Sequence, residues 1–153
     1  MKKIFCCLSF LALFSCVGYE PLFSAKDLSF FIEDIKNIND DKITKNLSRS
    51  LFNHKLKADG KKRYLLEISS DIKDMITSKD PAGRALTYEM IVNVKLKVLA
   101  HDTGLIINTF NINKNFNYNN QDNKVDFNRY KKNIQQIIVN KISQDIIIKL
   151  QSL

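Results

Sequence analysis

A chain of 153 residues, 44% hydrophobic and 26% charged, has the length and balance of one compact domain and is too short for two. Its three cysteines all lie within the first 16 residues, so the rest of the chain can form no disulfide. Its two histidines, His54 and His101, argue against a histidine metal site. The net charge of +8 suits an anionic partner, and nucleic acid is one such class.

Residues 1–15 have the composition of a secretory signal peptide. Lys2 and Lys3 form a positive start, and an uncharged apolar core follows from Ile4 to Phe14. A membrane-spanning helix needs roughly 20 apolar residues, so this core is too short to be one. We therefore predict that the segment is removed on export. Export also argues against nucleic acid as the partner.

Cys16 is the predicted attachment point of a lipid anchor. The run Leu13-Phe14-Ser15-Cys16 resembles the bacterial lipobox, in which the cysteine sulfur is diacylated and the signal is cut just before it. Cys6 and Cys7 are poor candidates for the lipidated cysteine, because almost no apolar core would precede them. Several acyl chains hold a protein stably at a membrane, whereas one holds it marginally. The prediction is a lipidated linker over residues 16–27; the alternative is an ordinary signal peptide with an incidental cysteine.

The next segments predict a strand and then a helix. Leu28–Ile35 is apolar and contains paired phenylalanines, which is typical of a strand. Asn39-Asp40-Asp41 supplies N-cap side chains and negative charge for a helix start. We expect this helix to run to about Lys57 and to close at Asp59-Gly60. Its apolar stripe consists of Ile43, Leu47 and Leu51, with His54 at the edge.

Three consecutive runs then alternate between apolar and polar residues, which predicts strands with one dry and one wet face. The asparagine-rich outer face of the third run is interpreted as solvated rather than as a ligand site. The apolar positions are Tyr64, Leu66, Ile68, Ile72 and Ile76 in the first run, Leu86, Tyr88, Met90, Val92, Val94, Leu96 and Val98 in the second, and Ile106, Phe110, Ile112, Phe116 and Tyr118 in the third.

The connections between these strands differ in their predicted form. His101-Asp102-Thr103-Gly104 is typical of a tight turn, with glycine where positive φ is expected, so the second and third strands should form a hairpin. The earlier connection, Lys79 to Gly83, contains Asp80-Pro81-Ala82-Gly83 and predicts a longer, mobile loop.

From about Asp126 the apolar spacing becomes helical. Isoleucine is a mediocre helix former, so burial against the rest of the domain must supply much of this helix's stability. The predicted buried stripe consists of Tyr130, Ile134, Ile137, Ile138, Ile142, Ile146 and Leu150.

The predicted element order is βαβββα. A sheet with a single dry face needs cover, which two amphipathic helices can provide. We therefore predict one α+β domain over residues 28–153, a two-layer sandwich with a four-stranded mixed sheet and both helices packed on one face. The first strand is expected to pair in parallel with a later one across the helical crossover.

Three stretches resemble the LPS-assembly lipoprotein family, LptE. Gly18-Tyr19-Glu20-Pro21-Leu22 is similar to the Cys-Gly-Tyr/Phe-x-Pro-Leu opening of that family, although Val17 is inserted after the cysteine. Ala82-Gly83-Arg84-Ala85-Leu86 followed by Tyr88 resembles the stretch that leads into the family's central strand. Tyr130 to Ile142 resembles the closing helix, with isoleucines where alanines are frequent.

The resemblance implies a partner and a ligand. It implies that the protein plugs the outer-membrane β-barrel LPS-assembly protein, LptD, helps that barrel to assemble, and assists the insertion of lipopolysaccharide into the outer leaflet. It also implies a position at the periplasmic face of the outer membrane, through the N-terminal lipid anchor. The net positive charge suits the phosphates of lipopolysaccharide. Candidate contacts are Lys79, Arg84 and Lys114, for each of which a solvated surface role is the alternative.

The residues predict no enzyme and no cofactor. GxSxG, a phosphate-binding loop and HExxH are all absent from the sequence, and Asp71 and Asp74 do not form a convincing acid–base pair. The hypothesis of a lipid-anchored hydrolase is therefore disfavoured, because the sequence offers no catalytic site for it. The remaining alternative to a barrel plug is an accessory outer-membrane lipoprotein of a lipid or solute ABC-type transport system. An obligate barrel partner would distinguish the plug from this accessory lipoprotein.

Overall fold

The protein is described by a computed structural model over residues 28–55 and 62–153, with side chains described except at residues 53–55. The predictions for residues 1–27, including Cys16, lie outside this range, as do Lys57, the Asp59-Gly60 helix end and the side chain of His54. The elements are β1 (Phe30–Asn37), α1 (Lys42–Lys55), β2 (Lys62–Lys79), β3 (Ala85–Ala100), β4 (Ile106–Asn119) and α2 (Lys124–Gln151).

The four strands form one open sheet in the order β1-β2-β3-β4. β1 pairs with β2 in parallel, as predicted for a strand that precedes a helical crossover, and the other two pairs are antiparallel. The α+β class and the βαβββα order are thus confirmed. β1 and β4 are the sheet edges, and β1 carries an irregularity between Ile32 and Asp34.

Alternate side chains of the strands form the core together with both helices. The alternation places every second residue of β2 and β3 on the covered face, because successive side chains point to opposite faces of a strand. The most deeply buried large side chains are Phe30, Ile32, Ile43, Leu47, Leu51, Leu66, Ile68, Met90, Leu96, Ile134, Ile138 and Ile142. The two helices also contact each other, and the Ser50 hydroxyl donates to the Ser143 hydroxyl at 3.0 Å.

A polar network fixes the start of α1 to the sheet. Asp41 accepts hydrogen bonds from the backbone N–H groups of Ile43 and Thr44 at 2.6 and 3.0 Å, which is N-cap geometry. Its other carboxylate oxygen accepts from the Ser70 hydroxyl on β2. Asn39 bonds the Ser70 backbone through both ends of its amide, at 2.6 and 3.2 Å. The crossover is therefore held by hydrogen bonds as well as by apolar packing.

The stripe predicted for α2 is correct except at Ile137, which is 42% exposed, and at Tyr130, which is only partly buried. The helix is buried over a wider arc than one stripe, because Val139, Ser143 and Ile147 are also buried. The reason is that α2 contacts both α1 and the sheet, and two contact surfaces cover more than one line of side chains. Asn123 caps the helix start by accepting from the N–H groups at 125 and 126.

The two ends of the sheet differ, and we name them by what lies there. The proximal end holds the entry of the chain at Leu28 and the β3–β4 turn at residues 101–104, which is joined to β2 by a hydrogen bond from His101 N to Arg63 O at 3.2 Å. The distal end holds the β2–β3 turn at residues 80–84 and the start of α2. The hairpin predicted at 101–104 is confirmed, with Gly104 at φ +65°.

The prediction that whole strand faces are dry is wrong at both ends of the sheet. Ile76 and Leu86 at the distal end are each 49% exposed, and Ile106 at the proximal end is 57% exposed. Ile106 lies opposite Leu99 because the register of the β3–β4 pair shifts there, which takes it out of line with Ile112. At the distal end, β2 has 18 residues, whereas α1 has 14 and rises less per residue, so this helix covers only part of the strand's length. Apolar side chains beyond the helix remain in solvent.

Candidate functional site

The β2–β3 turn carries two of the three candidate contact residues. Asp80 N donates to Arg84 O and Gly83 N donates to Asp80 O, both at 2.9 Å, which closes the connection over residues 80–84. Gly83 has φ +84°, a conformation that glycine adopts without a steric penalty. The loop predicted to be long is therefore a short, hydrogen-bonded turn. Its geometry follows from the Asp-Pro-Ala-Gly order, which favours a tight turn.

Arg84 is held by the turn but remains open to a ligand. Asp80 Oδ1 accepts from Arg84 N at 2.8 Å, and Oδ2 accepts from Arg84 Nε at 2.7 Å. These hydrogen bonds from Arg84 lower the pKa of the Asp80 carboxyl, since they favour its charged form. The Arg84 side chain is nevertheless 81% exposed. The contact orients the guanidinium through Nε and leaves its two terminal nitrogens for a bidentate anion contact.

Lys79 stands next to this turn at the end of β2, where it is exposed and lies opposite Ala85. Among the residues that the structure describes, no carboxylate pairs with its ammonium. Lys79 and Arg84 therefore present two positive charges on one turn, as expected from their spacing in the sequence.

Lys114 lies elsewhere. It is opposite Val92 in the middle of the sheet, on the face that the helices cover, and its ammonium pairs with Asp145 of α2 at 2.7 Å. Its side chain is 35% exposed. A charge that points inward from an edge strand and is paired there discourages other strands from adding to that edge. The structure thus gives Lys114 a packing partner and separates it from the other two candidates.

Exposed apolar side chains lie beside the charged turn. Met75, Ile76 and Leu86 are each 49% exposed, and Val125 at the start of α2 is 65% exposed. Large exposed apolar groups near one another mark interaction surfaces more often than isolated ones do. We call Lys79, Arg84, Ile76, Leu86 and Val125 together the distal surface. It combines cationic and apolar groups, which is the chemistry that an amphiphile with an anionic head requires.

A cluster of aromatic side chains from β3, β4 and the start of α2 lies next to the distal surface. Tyr88 and Tyr118 stack with ring centroids 5.4 Å apart, and Phe127 lies 5.4 Å from Tyr88. The Tyr118 hydroxyl donates to Asp74 Oδ1 at 2.8 Å, and Lys131 pairs with the same carboxylate. Burial, together with Asp74, raises the pKa of Tyr118, so its hydroxyl stays protonated. Sequence reasoning missed this cluster because its members lie on three elements.

The structure offers no metal centre or membrane span within the range it describes. No group of three His, Cys, Asp or Glu residues there is arranged to hold a metal ion. None of the helices described combines the length and apolar character needed to cross a membrane. Every buried side-chain nitrogen or oxygen among these residues has a hydrogen-bond partner.

Comparison with known proteins places the fold among bacterial lipoproteins. No protein-family model and no curated protein matches the chain. Among solved structures, rare lipoprotein B from Shewanella oneidensis is 15% identical with a TM-score of 0.61, over 79% of this chain and 93% of that one. Minor lipoprotein from Acinetobacter baumannii is 12% identical with a TM-score of 0.58, over 83% of this chain and 93% of that one. Lipoprotein B from Nitrosomonas europaea is 16% identical with a TM-score of 0.58, over 85% of this chain and 90% of that one. In fold, this chain is similar to the rare and minor lipoproteins.

Proposed function

We propose that this chain is an outer-membrane lipoprotein, anchored through Cys16, that plugs and helps assemble a lipopolysaccharide-exporting β-barrel and assists lipopolysaccharide insertion into the outer leaflet. The single observation that carries the proposal is the two-sided sheet in a fold shared with bacterial lipoproteins. One face is covered by both helices, and the other face, which we call the bare face, is covered by no other element among the described residues and carries mostly polar side chains.

The bare face suits the inside of an outer-membrane barrel. Glu67 lies between Lys36 and Lys97, with its carboxylate oxygens 3.4 and 3.5 Å from their ammonium nitrogens, so these three side chains form a small charged network with one net positive charge. Further along the sheet, asparagine side chains bond across the strands; Asn115 donates to Glu89 at 2.8 Å. Barrel interiors are polar, whereas lipid-facing surfaces are apolar. A face rich in charged and hydrogen-bonding side chains therefore favours a polar lumen over direct contact with lipid.

The distal surface supports the lipopolysaccharide part of the proposal. Lys79 and Arg84 can donate charge-assisted hydrogen bonds to phosphate or carboxylate groups. Ile76, Leu86 and Val125 offer apolar area beside them. Both parts act by binding and orientation, so the proposed role involves no turnover. A single polar substitution that abolished a measurable turnover of the purified protein would contradict this non-enzymatic role.

The decisive experiment is purification of the intact lipoprotein from native membranes in mild detergent, followed by mass spectrometry of the proteins that accompany it. We expect one large outer-membrane barrel in equal amount. Recovery of an inner-membrane transporter or a substrate-binding subunit instead would replace the proposal with an accessory role in an ABC-type transport system. Recovery of no stoichiometric partner would contradict both roles.

Replacement of Cys16 tests the anchor. We expect Cys16→Ala to abolish acylation and the cut before residue 16, because the sulfur that receives the diacyl group is lost. The measurement is the intact mass of the protein and its distribution between membrane and soluble fractions. Cys7→Ala is the matched control and should leave both unchanged. If Cys16→Ala retained the acyl mass, the lipid would be attached elsewhere.

Removal of the distal charges tests ligand contact. We expect Lys79→Ala and Arg84→Ala each to weaken lipopolysaccharide binding by about tenfold, the effect of losing one charge-assisted hydrogen bond. The measurement is a titration of the purified lipoprotein with fluorescent lipopolysaccharide. Lys141→Ala removes an exposed cation from α2 and should change little. Lys114→Ala should also change little, because Asp145 already neutralises that ammonium. Equal losses in all four variants would mean that only overall charge matters.

A further inference from the structure

The proximal end presents three consecutive exposed apolar residues. Leu105, Ile106 and Ile107 follow the β3–β4 turn and are 69%, 57% and 45% exposed. We call them the proximal tip. The register of the β3–β4 pair shifts here, so that Ile106 lies opposite Leu99; Leu99 neighbours the buried Val98 and therefore faces away from the helices. Helix cover cannot bury such a ridge, and a polar lumen would gain nothing from it.

The tip stands at the end of the domain where the chain arrives from Cys16. His101 N donates to Arg63 O at 3.2 Å, and Phe30 lies opposite Lys62, so the turn and the start of β1 share this end. Eleven residues lie between Cys16 and Leu28, so the two Cα atoms are twelve steps apart, a span of at most about 40 Å. An acylated Cys16 therefore restrains the proximal end, more closely than the distal end, to the neighbourhood of the bilayer.

The charges around the tip fit the same surface. Lys62 and Arg63 are exposed at the start of β2, adjacent to the turn. Basic residues that flank an apolar element favour the anionic headgroups of a phospholipid leaflet, while the apolar side chains enter the headgroup–acyl boundary. Two separate features of this end, its apolar ridge and its basic flank, thus point to one kind of partner.

We propose that the proximal tip inserts into the phospholipid leaflet that holds the acyl chains, and so fixes the orientation of the domain. This inference rests on the lipid anchor of the proposed function, and it adds a second, protein-made contact with the membrane. The bare sheet face and the distal surface are then held away from the bilayer, since the sheet runs from the tip to the distal turn.

Depth-dependent fluorescence tests the insertion. Once Cys16 is acylated, the mature protein has no free thiol, so Ile106→Cys creates a single site for an environment-sensitive dye. The full lipoprotein is placed in phosphatidylethanolamine–phosphatidylglycerol vesicles that contain doxyl-labelled lipids. We expect at least about a twofold loss of fluorescence at this site, consistent with burial at the headgroup–acyl boundary. Ile137→Cys is the matched control, since Ile137 is also an isoleucine, is 42% exposed and lies in the middle of α2 outside both surfaces, and it should show no loss.

The outcomes separate the inference from the function on which it rests. Leu105→Cys gives a second label site should Ile106→Cys fold poorly. The intact mass reports the anchor and the membrane purification reports the barrel, both independently of the dye. Quenching at the tip supports insertion if it is seen both with the lipoprotein alone and with the lipoprotein bound to any co-purified barrel. Absence of quenching in vesicles overturns it, as does quenching that disappears when a barrel is bound, because the tip would then be a protein contact.

Discussion

Ile142→Ala is expected to destabilise the protein by about 2–5 kcal/mol, the largest single effect that the fold predicts. Ile142 has 0% exposure, near the middle of α2. Truncation removes apolar contacts and leaves a cavity, because the surrounding side chains can relax only in part. The measurement is the free energy of unfolding from urea titration of the purified lipoprotein, followed by circular dichroism.

Ile148→Ala is the matched control for this change. Ile148 lies on the same helix and is 49% exposed, and the two substitutions gain the same helix propensity. The difference between them therefore reports packing alone. We expect the control to change stability by no more than about 0.5 kcal/mol. Equal effects at the two positions would show that α2 does not pack on the face described.

Asp41→Ala is expected to cost about 2 kcal/mol or more. The substitution removes the N-cap of α1, which typically contributes about 1 kcal/mol, and it leaves buried hydroxyl partners with fewer acceptors. Thr44 is 0% exposed and Ser70 is 9% exposed, so water replaces the lost acceptor poorly. Asp40→Ala is the control, since that side chain is 90% exposed and pairs only with Lys45, at 2.7 Å, among the described residues. A similar loss in both variants would contradict the network.

The same carboxylate makes stability depend on pH. Burial raises the pKa of Asp41, but hydrogen bonds from Ser70, Thr44 and Ile43 outweigh it and lower the pKa below its usual value. A lowered pKa in the folded state means that the stabilisation is complete above about pH 4, the unfolded value, and is lost as pH falls through the folded value. The stability difference between the wild type and Asp41→Ala should therefore shrink below pH 4. A difference that stayed constant down to acid unfolding would contradict this linkage.

The strand and helix order could be predicted because each pattern is local. Alternation along β2, β3 and β4 reports a sheet with one covered face, and the glycine at position 104 reports the hairpin turn. The sequence locates the N-cap of α1 within Asn39-Asp40-Asp41, and the structure assigns it to Asp41, which binds the N–H groups two and three residues ahead. The paired cations Lys79 and Arg84 were placed correctly at one turn because only four residues separate them.

Features that depend on coverage or on distant partners could not be predicted. Which dry-face residues remain exposed depends on how far α1 and α2 extend over the sheet, so Ile76, Leu86 and Ile106 were expected inside and lie in solvent. Lys114 was grouped with the turn cations by its charge, but its partner Asp145 lies on a helix that folds back over the strand. Neither result is encoded in a short window of sequence.

The sequence by itself determined the order of the elements and, over the middle of the sheet, which face of each strand is covered, because each follows from spacing along the chain. The signal segment and the lipidation of Cys16 stay predictions. Only the tertiary structure decided that a charged, apolar distal surface and an apolar proximal tip lie at opposite ends of one sheet. At the distal end the physical reason is the relative length of packed elements: an 18-residue strand outreaches a 14-residue helix and leaves its end uncovered. At the proximal tip the reason is the shift in the β3–β4 register, which places Ile106 opposite Leu99.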